Sequence, residues 1–234
     1  KNELHIALTG PPAAGKTTTL PVVKQAFEAV GFRVLVVDEQ ATRYFLELGK
    51  DGKALDLSKL SSAEMMKVQS RLLSLQARAE ETAREIASDI AANGTMVLVI
   101  YDRTACDGKV FAKPADWDEL VNARPVDCML YDLVLELGST ASLPDPNAYE
   151  YGEGCANPAR QHSRADTLKL VDKFQAAYEG HPWYRYIAVE PQLWDKFKRV
   201  ISAIVDRLPA EMRAVLGART APDLYDSSSW PMGP

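Results

Sequence analysis

Apolar residues fall along this chain in two alternating rhythms. Short continuous runs at His5-Ile6-Ala7-Leu8-Thr9, Phe32 to Val37, Met96 to Tyr101, Met129 to Leu137 and Tyr186 to Val189 have the length of buried strands. Between these runs apolar residues recur every three or four positions. The first such set is Val22, Val23, Ala26, Phe27 and Val30, and the second runs from Met65 through Val68, Leu72, Leu75, Ala79, Ala83 and Ile86 to Ile90. Leu168, Val171, Phe174 and Ala177 form a third, and Trp194, Phe197, Ile201, Ile204 and Val205 a fourth. That spacing lines one face of a helix. Strands alternating with helices predict βαβ units, whose crossovers build a parallel sheet. The expected fold is therefore α/β, a five-stranded and mainly parallel sheet with helices on both faces.

Gly31 stops the first helix, and Pro21 predicts a kink or a late start within it. Residues 40–48 predict a short helix with Tyr44, Phe45 and Leu48 on one face, and 49–60 a polar loop. Ser61 or Ser62 caps the long helix and Asn93-Gly94 ends it. From Gly138 to about Arg164 the chain is rich in Ser, Pro, Asn, Gly and Tyr without an apolar period. Loops of that length inside a domain are mobile lids, binding loops or disordered segments, and of these a lid is expected over about 138–165. The stretch from Pro209, with four prolines and Ser227-Ser228-Ser229, predicts an irregular tail docked through Trp230. The expected organisation is one domain over 1–208 and a tail over 209–234, with no internal repeat.

One stretch carries the chemistry. Gly10-Pro11-Pro12-Ala13-Ala14-Gly15-Lys16-Thr17-Thr18 is a complete G-x-x-x-x-G-K-[ST] loop between a strand and a helix. Its amide N–H groups point inward as an anion nest, and the helix behind adds the positive end of its dipole. Gly10, Pro12, Ala13, Ala14, Gly15, Lys16, Thr17 and Thr18 are accordingly the expected nucleotide-phosphate contacts. Lys16 reaches the β- and γ-phosphates, and the Thr17 hydroxyl takes a place on Mg²⁺. ATP is the expected nucleotide, with GTP also possible for such a loop.

Ligands of open parallel sheets sit beyond the carboxyl ends of the strands. Strand two ends there on Asp38-Glu39, and strand three on Asp102-Arg103. Asp102 fits the acidic residue that holds Mg²⁺ through water. Arg103 offers either a phosphate fork or an ion pair inside its turn. Glu39 is the candidate base for a substrate hydroxyl, and Asp38 contacts the substrate or caps the next helix. Arg160 and Arg164 stand four apart at the end of the lid, so on a helix they share a face from which to close over a triphosphate. His181, in Gly180-His181-Pro182, reads as a turn histidine.

Charge and cysteines narrow the partners. The net charge is −5 and the pI about 5.3, with no basic stripe, which argues against a nucleic-acid surface. No apolar run approaches a membrane span and no signal peptide opens the chain. Three cysteines, far apart and without metal spacing, predict neither a disulfide framework nor a zinc site, and point to a reducing, cytoplasmic setting.

The stretches GPPAAGKTT, VVDEQATRY, VIYDRTACDGKVF, NPARQHSRADTLKLVDKF and GHPWYRYI occur in that order across most of the chain. With them the sequence resembles the nicotinamide-riboside-kinase-like branch of P-loop proteins, often filed as an AAA-type ATPase domain. Within that branch it is most similar to the eukaryotic group that includes the TRPL translocation defect protein 14. The resemblance implies a kinase-like core, an arginine-bearing lid and Mg²⁺-nucleotide bound across the sheet edge. It supports Lys16, Thr17, Glu39, Asp102, Arg103, Arg160 and Arg164, adds Asp107 as a substrate contact and lends weight to His181. Leu143 to Cys155 departs from the pattern, so the substrate does not transfer.

Three functions follow. The first is an ATP-dependent kinase acting on a hydroxyl of a small, nucleoside-like acceptor, with hydrolysis alone as its simpler variant. The second is a GTP- or ATP-binding regulator with phosphoinositide contact, a reading the relatives suggest. Against an ordinary GTPase, the chain has no N-K-x-D segment and no D-x-x-G after strand two. The third is an RNA 5′-kinase.

Overall fold

Five strands, β1 (Glu3–Thr9), β2 (Arg33–Val37), β3 (Val97–Asp102), β4 (Leu133–Leu137) and β5 (Tyr184–Ile187), join in the order β2-β3-β1-β4-β5. Every pairing is parallel, so the sheet is wholly rather than mainly so. This computed structural model describes residues 1–49, 54–149, 162–190, 192–217, 219 and 221–225. Arg160 and Trp230 lie outside the described residues.

Alternation along the strands sends side chains to two cores. Leu4, Ile6, Leu8, Leu135 and Leu137 face one side, where α1 (Lys16–Glu28) and α7 (Leu193–Arg207) cover them with Phe27, Phe197 and Ile201. Ala7, Val97, Val99, Tyr101 and Val134 face the other, beneath α3 (Ser62–Ala92) and α6 (Arg164–Ala177). Each large apolar side chain so buried contributes about 1.5–3 kcal/mol. The chain leaves β1 towards β3 and β2, then crosses back to β4 and β5. The reversal opens a crevice at the carboxyl end of β1, where the Gly10–Thr18 loop sits.

Three further helices wall that crevice: α2 (Gln40–Glu47), α4 (Gly108–Phe111) and α5 (Pro114–Ala123), with a 3₁₀ turn at Leu57–Lys59. Ser61, not Ser62, caps α3. Its hydroxyl accepts from Glu64 N, and the Glu64 carboxylate accepts from Ser61 N in return. Pro21 sits on the exposed side of an unbroken α1.

Several expectations are corrected. β4 begins at Leu133, because Cys128–Leu130 is a 3₁₀ turn and Asp132 is drawn off to accept from His5 N at 2.9 Å. β5 lies two residues earlier than its apolar run. On α3 the buried positions are Val68, Leu73, Gln76, Glu80, Ala83 and Ala87, while Leu75 and Ile86 face solvent. Two inward residues are polar, which an apolar period cannot register. The described part of the stretch after Pro209 is not irregular. It forms α8 (Ala210–Leu216) and a 3₁₀ turn at Ala221–Tyr225, and Met212, Leu216 and Leu224 bury against the α1–α7 side of the core. Cysteines also differ from expectation. Cys106 and Cys128 form a disulfide across 22 residues, with Cα atoms 5.8 Å apart, because α4 and α5 fold back and return the chain to its start. The ground for a reducing compartment goes with it. Among the described residues, no helix is long and apolar enough to cross a membrane.

Candidate active site

The phosphate loop is held by its carbonyls. Gly10 O accepts from Arg103 Nη1 at 3.0 Å and from Lys16 Nζ at 3.3 Å. Pro12 O accepts from Ser139 Oγ at 2.6 Å, Ala13 O from Thr140 N at 3.2 Å, and Ala14 O from Lys196 Nζ at 2.8 Å. With its carbonyls turned outward and bonded, the loop presents its amide side to the cavity that Pro12 to Thr18 line. Ala13 takes a left-handed φ of 56° to achieve this, and Gly15 one of 77°. At Gly10, φ is 130° and a Cβ would collide with the Leu137 carbonyl oxygen, so only glycine fits.

Lys16 is buried, and its ammonium is pulled down to about 8, first by burial and then by Arg103, against the attraction of Asp102, Glu39 and Asp107. Asp102 ends β3 with 7% exposure, and its Oδ1 has no hydrogen-bond partner among the described residues. Burial raises its pKa although Lys16 opposes the shift. An orphaned carboxylate oxygen at the end of β3 and a threonine on the cavity wall have the donor chemistry for Mg²⁺, which Thr17 would hold directly and Asp102 through water. Among the described residues no group of three or more His, Cys, Asp or Glu forms a metal cage.

Arg103 follows Asp102 at a left-handed φ of 67°. Its Nε donates to Glu39 Oε1 at 2.8 Å, and its Nη1 stands 3.5 Å from Asp107 Oδ2. The guanidinium lies over the Phe111 and Phe174 rings, 5.5 and 5.3 Å from their centroids. Of the phosphate fork and the ion pair, the structure shows the pair. Glu39 is pushed up by burial, but Arg103, Lys16 and the Thr42 hydroxyl outweigh that and hold its carboxylate low and ionised. Asp107 is buried, accepting from Thr9 Oγ1 at 2.8 Å and from Tyr178 OH at 2.6 Å.

Lys16, Thr17, Glu39, Arg103 and Asp107 thus share one cavity of about 570 Å³. Other expected residues, Asp102 among them, are not part of its lining. Asp38 is exposed outside the lining, and Glu39 rather than Asp38 occupies the N-cap position of α2. Arg164 donates from Nε to Ala141 O at 2.9 Å and from Nη2 to Leu143 O at 2.7 Å, which ties α6 to the segment that follows β4. His181 is a turn histidine: Nε2 lies 3.0 Å from Tyr131 O, and Nδ1 accepts from Trp183 N at 3.2 Å.

Sequence comparison fixes the family. An AAA domain family model matches residues 5–196. The chain belongs to this AAA domain family. No curated protein matches it in sequence. Among solved structures, deoxyadenosine kinase from M. mycoides with bound dATP is similar at 17% identity and a TM-score of 0.54, over 86% of this chain and 98% of that one. The same kinase with the products dCMP and dCDP gives 14% identity and a TM-score of 0.55, over the same shares of the two chains. These likenesses show the P-loop kinase-like fold.

The AAA domain also has site residues that sequence reasoning passed over. Gln76 and Gln69 line the cavity from α3. Gln76 Nε2 donates to Arg103 O at 3.1 Å and to Glu80 Oε1 at 3.2 Å, and Glu80 accepts from Ala105 N and Tyr131 OH at 2.8 Å each. This buried set braces the turn that aims Arg103. Gln69 Nε2 donates to Phe111 O at 3.1 Å, leaving Oε1 buried without a partner among the described residues. Lys196 bridges Ala14 O and Gly138 O, and burial followed by Lys16 brings it down to about 8. Gln69 and Gln76, seven apart on a predicted helix, were the available signal: two amides at near-buried positions of an otherwise apolar face.

Proposed function

We propose that this AAA domain is an ATP-dependent kinase that transfers the γ-phosphoryl group to a hydroxyl of a small, nucleoside-like acceptor. The observation that carries the reading is the continuity of one cavity from the phosphate loop to Glu39 and Arg103 and on between α2, α3 and α5. The triphosphate lies in the nest with Lys16 on its terminal phosphates. The acceptor hydroxyl then lies against Glu39, whose ionised carboxylate orients it and accepts its proton as the new P–O bond forms and the bond to the departing diphosphate breaks. Mg²⁺, when bound, supplies charge neutralisation on the phosphates, held by Thr17 and, through water, by Asp102. Arg103 exchanges part of its pairing with Glu39 for phosphoryl oxygens, while the Asp107 carboxylate keeps its fork in place. Gln69 Oε1 awaits a hydrogen-bond donor on the acceptor body, a feature that nucleobases supply.

This reading keeps the nicotinamide-riboside-kinase-like branch as the working assignment, on the five stretches quoted above. Arg160 and Arg164 enter it as a lid pair, with Arg164 acting through the loop it ties down. The deciding experiment measures ADP release from Mg-ATP with and without a panel of nucleosides. Acceptor-dependent release, abolished in Lys16→Ala, is expected. GTP bound in preference to ATP, with turnover indifferent to every acceptor, would favour the regulator instead. Salt-sensitive RNA binding would favour the 5′-kinase.

A further inference from the structure

We propose that the acceptor of this site is uncharged and carries an apolar substituent, held in a pocket beyond Gln69. The inference rests on the kinase reading and names the substrate class more narrowly. Charge in the cavity is partitioned. Among the described lining residues the ionisable ones are Lys16, Glu39, Arg103, Asp107 and His162. Lys16 belongs to the phosphate loop, Glu39 and Arg103 follow strand ends, and Asp107 closes the turn after β3. His162 stands near Arg103 and Phe111, and burial, then Arg103, lowers its pKa and keeps it neutral. Lys16 is committed to the nucleotide, and Arg103 is divided among Glu39, Asp107, Gly10 O and, in the kinase reading, the transferred phosphoryl group. Among the described lining residues no cation is left for a phosphate or carboxylate on the acceptor body, and the kinase reading assigns Arg160 to the triphosphate, so such a group would be buried unpaired.

The far wall has the opposite character. Phe45 of α2, Met65 and Leu72 of α3, Phe111 of α4 and Trp117 of α5 all line the cavity, and each stays partly exposed. Apolar side chains from four helices therefore turn accessible surface into a concavity rather than onto one another. Filling it with an apolar group removes that surface from water on both partners, a gain proportional to the area covered. Gln69 marks the boundary. Its amide is pinned on the Phe111 carbonyl, and its free Oε1 selects an N–H or O–H between the reacting hydroxyl and the apolar end. A cavity of about 570 Å³ has the size of sites that enclose a whole small molecule.

Three acceptors with the same 5′-hydroxyl test this: 2′-deoxyadenosine, its N6-benzyl derivative and its 3′-monophosphate. With saturating Mg-ATP, kcat/KM for the benzyl compound exceeds that for 2′-deoxyadenosine by about tenfold or more, and that for the 3′-monophosphate falls by a similar factor. Met65→Ala and Trp117→Ala each shrink the benzyl-to-parent ratio. A benzyl compound no better than 2′-deoxyadenosine, or a 3′-monophosphate used equally well, overturns the proposal while leaving the kinase reading intact. Should none of the three stimulate ADP release, the kinase reading for nucleosides fails. The pocket is then judged by calorimetry in the presence of a non-hydrolysable ATP analogue. Tighter binding of the benzyl compound than of 2′-deoxyadenosine, weakened by Met65→Ala, upholds the pocket, and equal binding overturns it.

Discussion

Arg103 and Glu39, 64 residues apart in sequence, meet at 2.8 Å because β3 and β2 are neighbours in the sheet and both end at the same edge. The pair is nearly buried on the arginine side, with 11% of its side chain exposed against 25% for Glu39. Each holds the other charged. Glu39→Gln keeps the shape and removes the proton acceptor, so turnover should fall by about 10²–10⁴-fold. Burial pushes Glu39 up, but Arg103 and Lys16 outweigh it, so the net shift lies below the ordinary 4.5. An acidic limb of kcat/KM from this group should therefore lie below pH 4.5. Stopped assays of ADP release across pH would show it, and a limb near neutrality lost in Glu39→Gln would contradict the assignment.

Lys16 makes nucleotide binding pH-dependent. Burial and Arg103 bring its ammonium to about 8 in the free protein, and a bound triphosphate favours the charged form. Affinity for Mg-ATP should thus be full below pH 8 and decline as pH rises beyond it, with a proton taken up on binding in that window. Lys196, also near 8 and bonded to the Ala14 carbonyl, contributes to the same window through the loop. Calorimetry in two buffers of different ionisation enthalpy measures the uptake. Lys196→Met should leave part of it, and Lys16→Ala should remove specific binding altogether. No proton uptake at pH 8.5 would count against both lysines.

The strands, the phosphate loop and the two acidic strand tips were legible because their signals are local. A buried strand is a run, and a nest needs glycines at fixed offsets. What stayed hidden was set by tertiary partners. Gln76 and Glu80 occupy inward positions of α3 because they brace Arg103 O and Ala105 N, contacts that no hydrophobic period records. Arg164 looked free to meet phosphate, yet the Ala141 and Leu143 carbonyls claim it. The helix after Pro209 was masked by prolines, although Met212 and Leu216, four apart, carry its buried face. Cys106 and Cys128 are paired by a fold-back that sequence separation alone does not reveal.

The Cys106–Cys128 bridge encloses α4 and α5, and with them the Asp107, Phe111 and Trp117 wall of the cavity. Closing a loop of this length stabilises the folded chain by about 3 kcal/mol in the chain-entropy account. Reduction should lower Tm, by about 2–4 °C per kcal/mol for a domain of this size. Of the three cysteines, only one should react with a thiol reagent in unreduced, denatured protein. Three reactive thiols, with a Tm indifferent to dithiothreitol, would show the bridge absent in solution.

Glu136 is the buried carboxyl with most to reveal about stability. It sits on β4 with 1% exposure, accepts from Tyr184 OH, and leaves Oε1 without a partner among the described residues. Burial raises it to about 7, the Tyr184 hydrogen bond opposes, and Asp107 and Asp172 push further upward. A folded pKa above the unfolded 4.5 means that the folded protein binds the extra proton. The contribution to stability is fully present below pH 4.5 and is lost as pH rises through 7. Glu136→Gln keeps an acceptor for Tyr184 and never ionises. Urea unfolding should find the variant level with the parent at pH 4.5 and more stable at pH 8, by at most about 3 kcal/mol. Comparing the two proteins at each pH removes the histidines, which titrate alike in both. A difference that does not change between those pH values would mean that Glu136 enters the fold already ionised, with its charge met by a group outside the described residues.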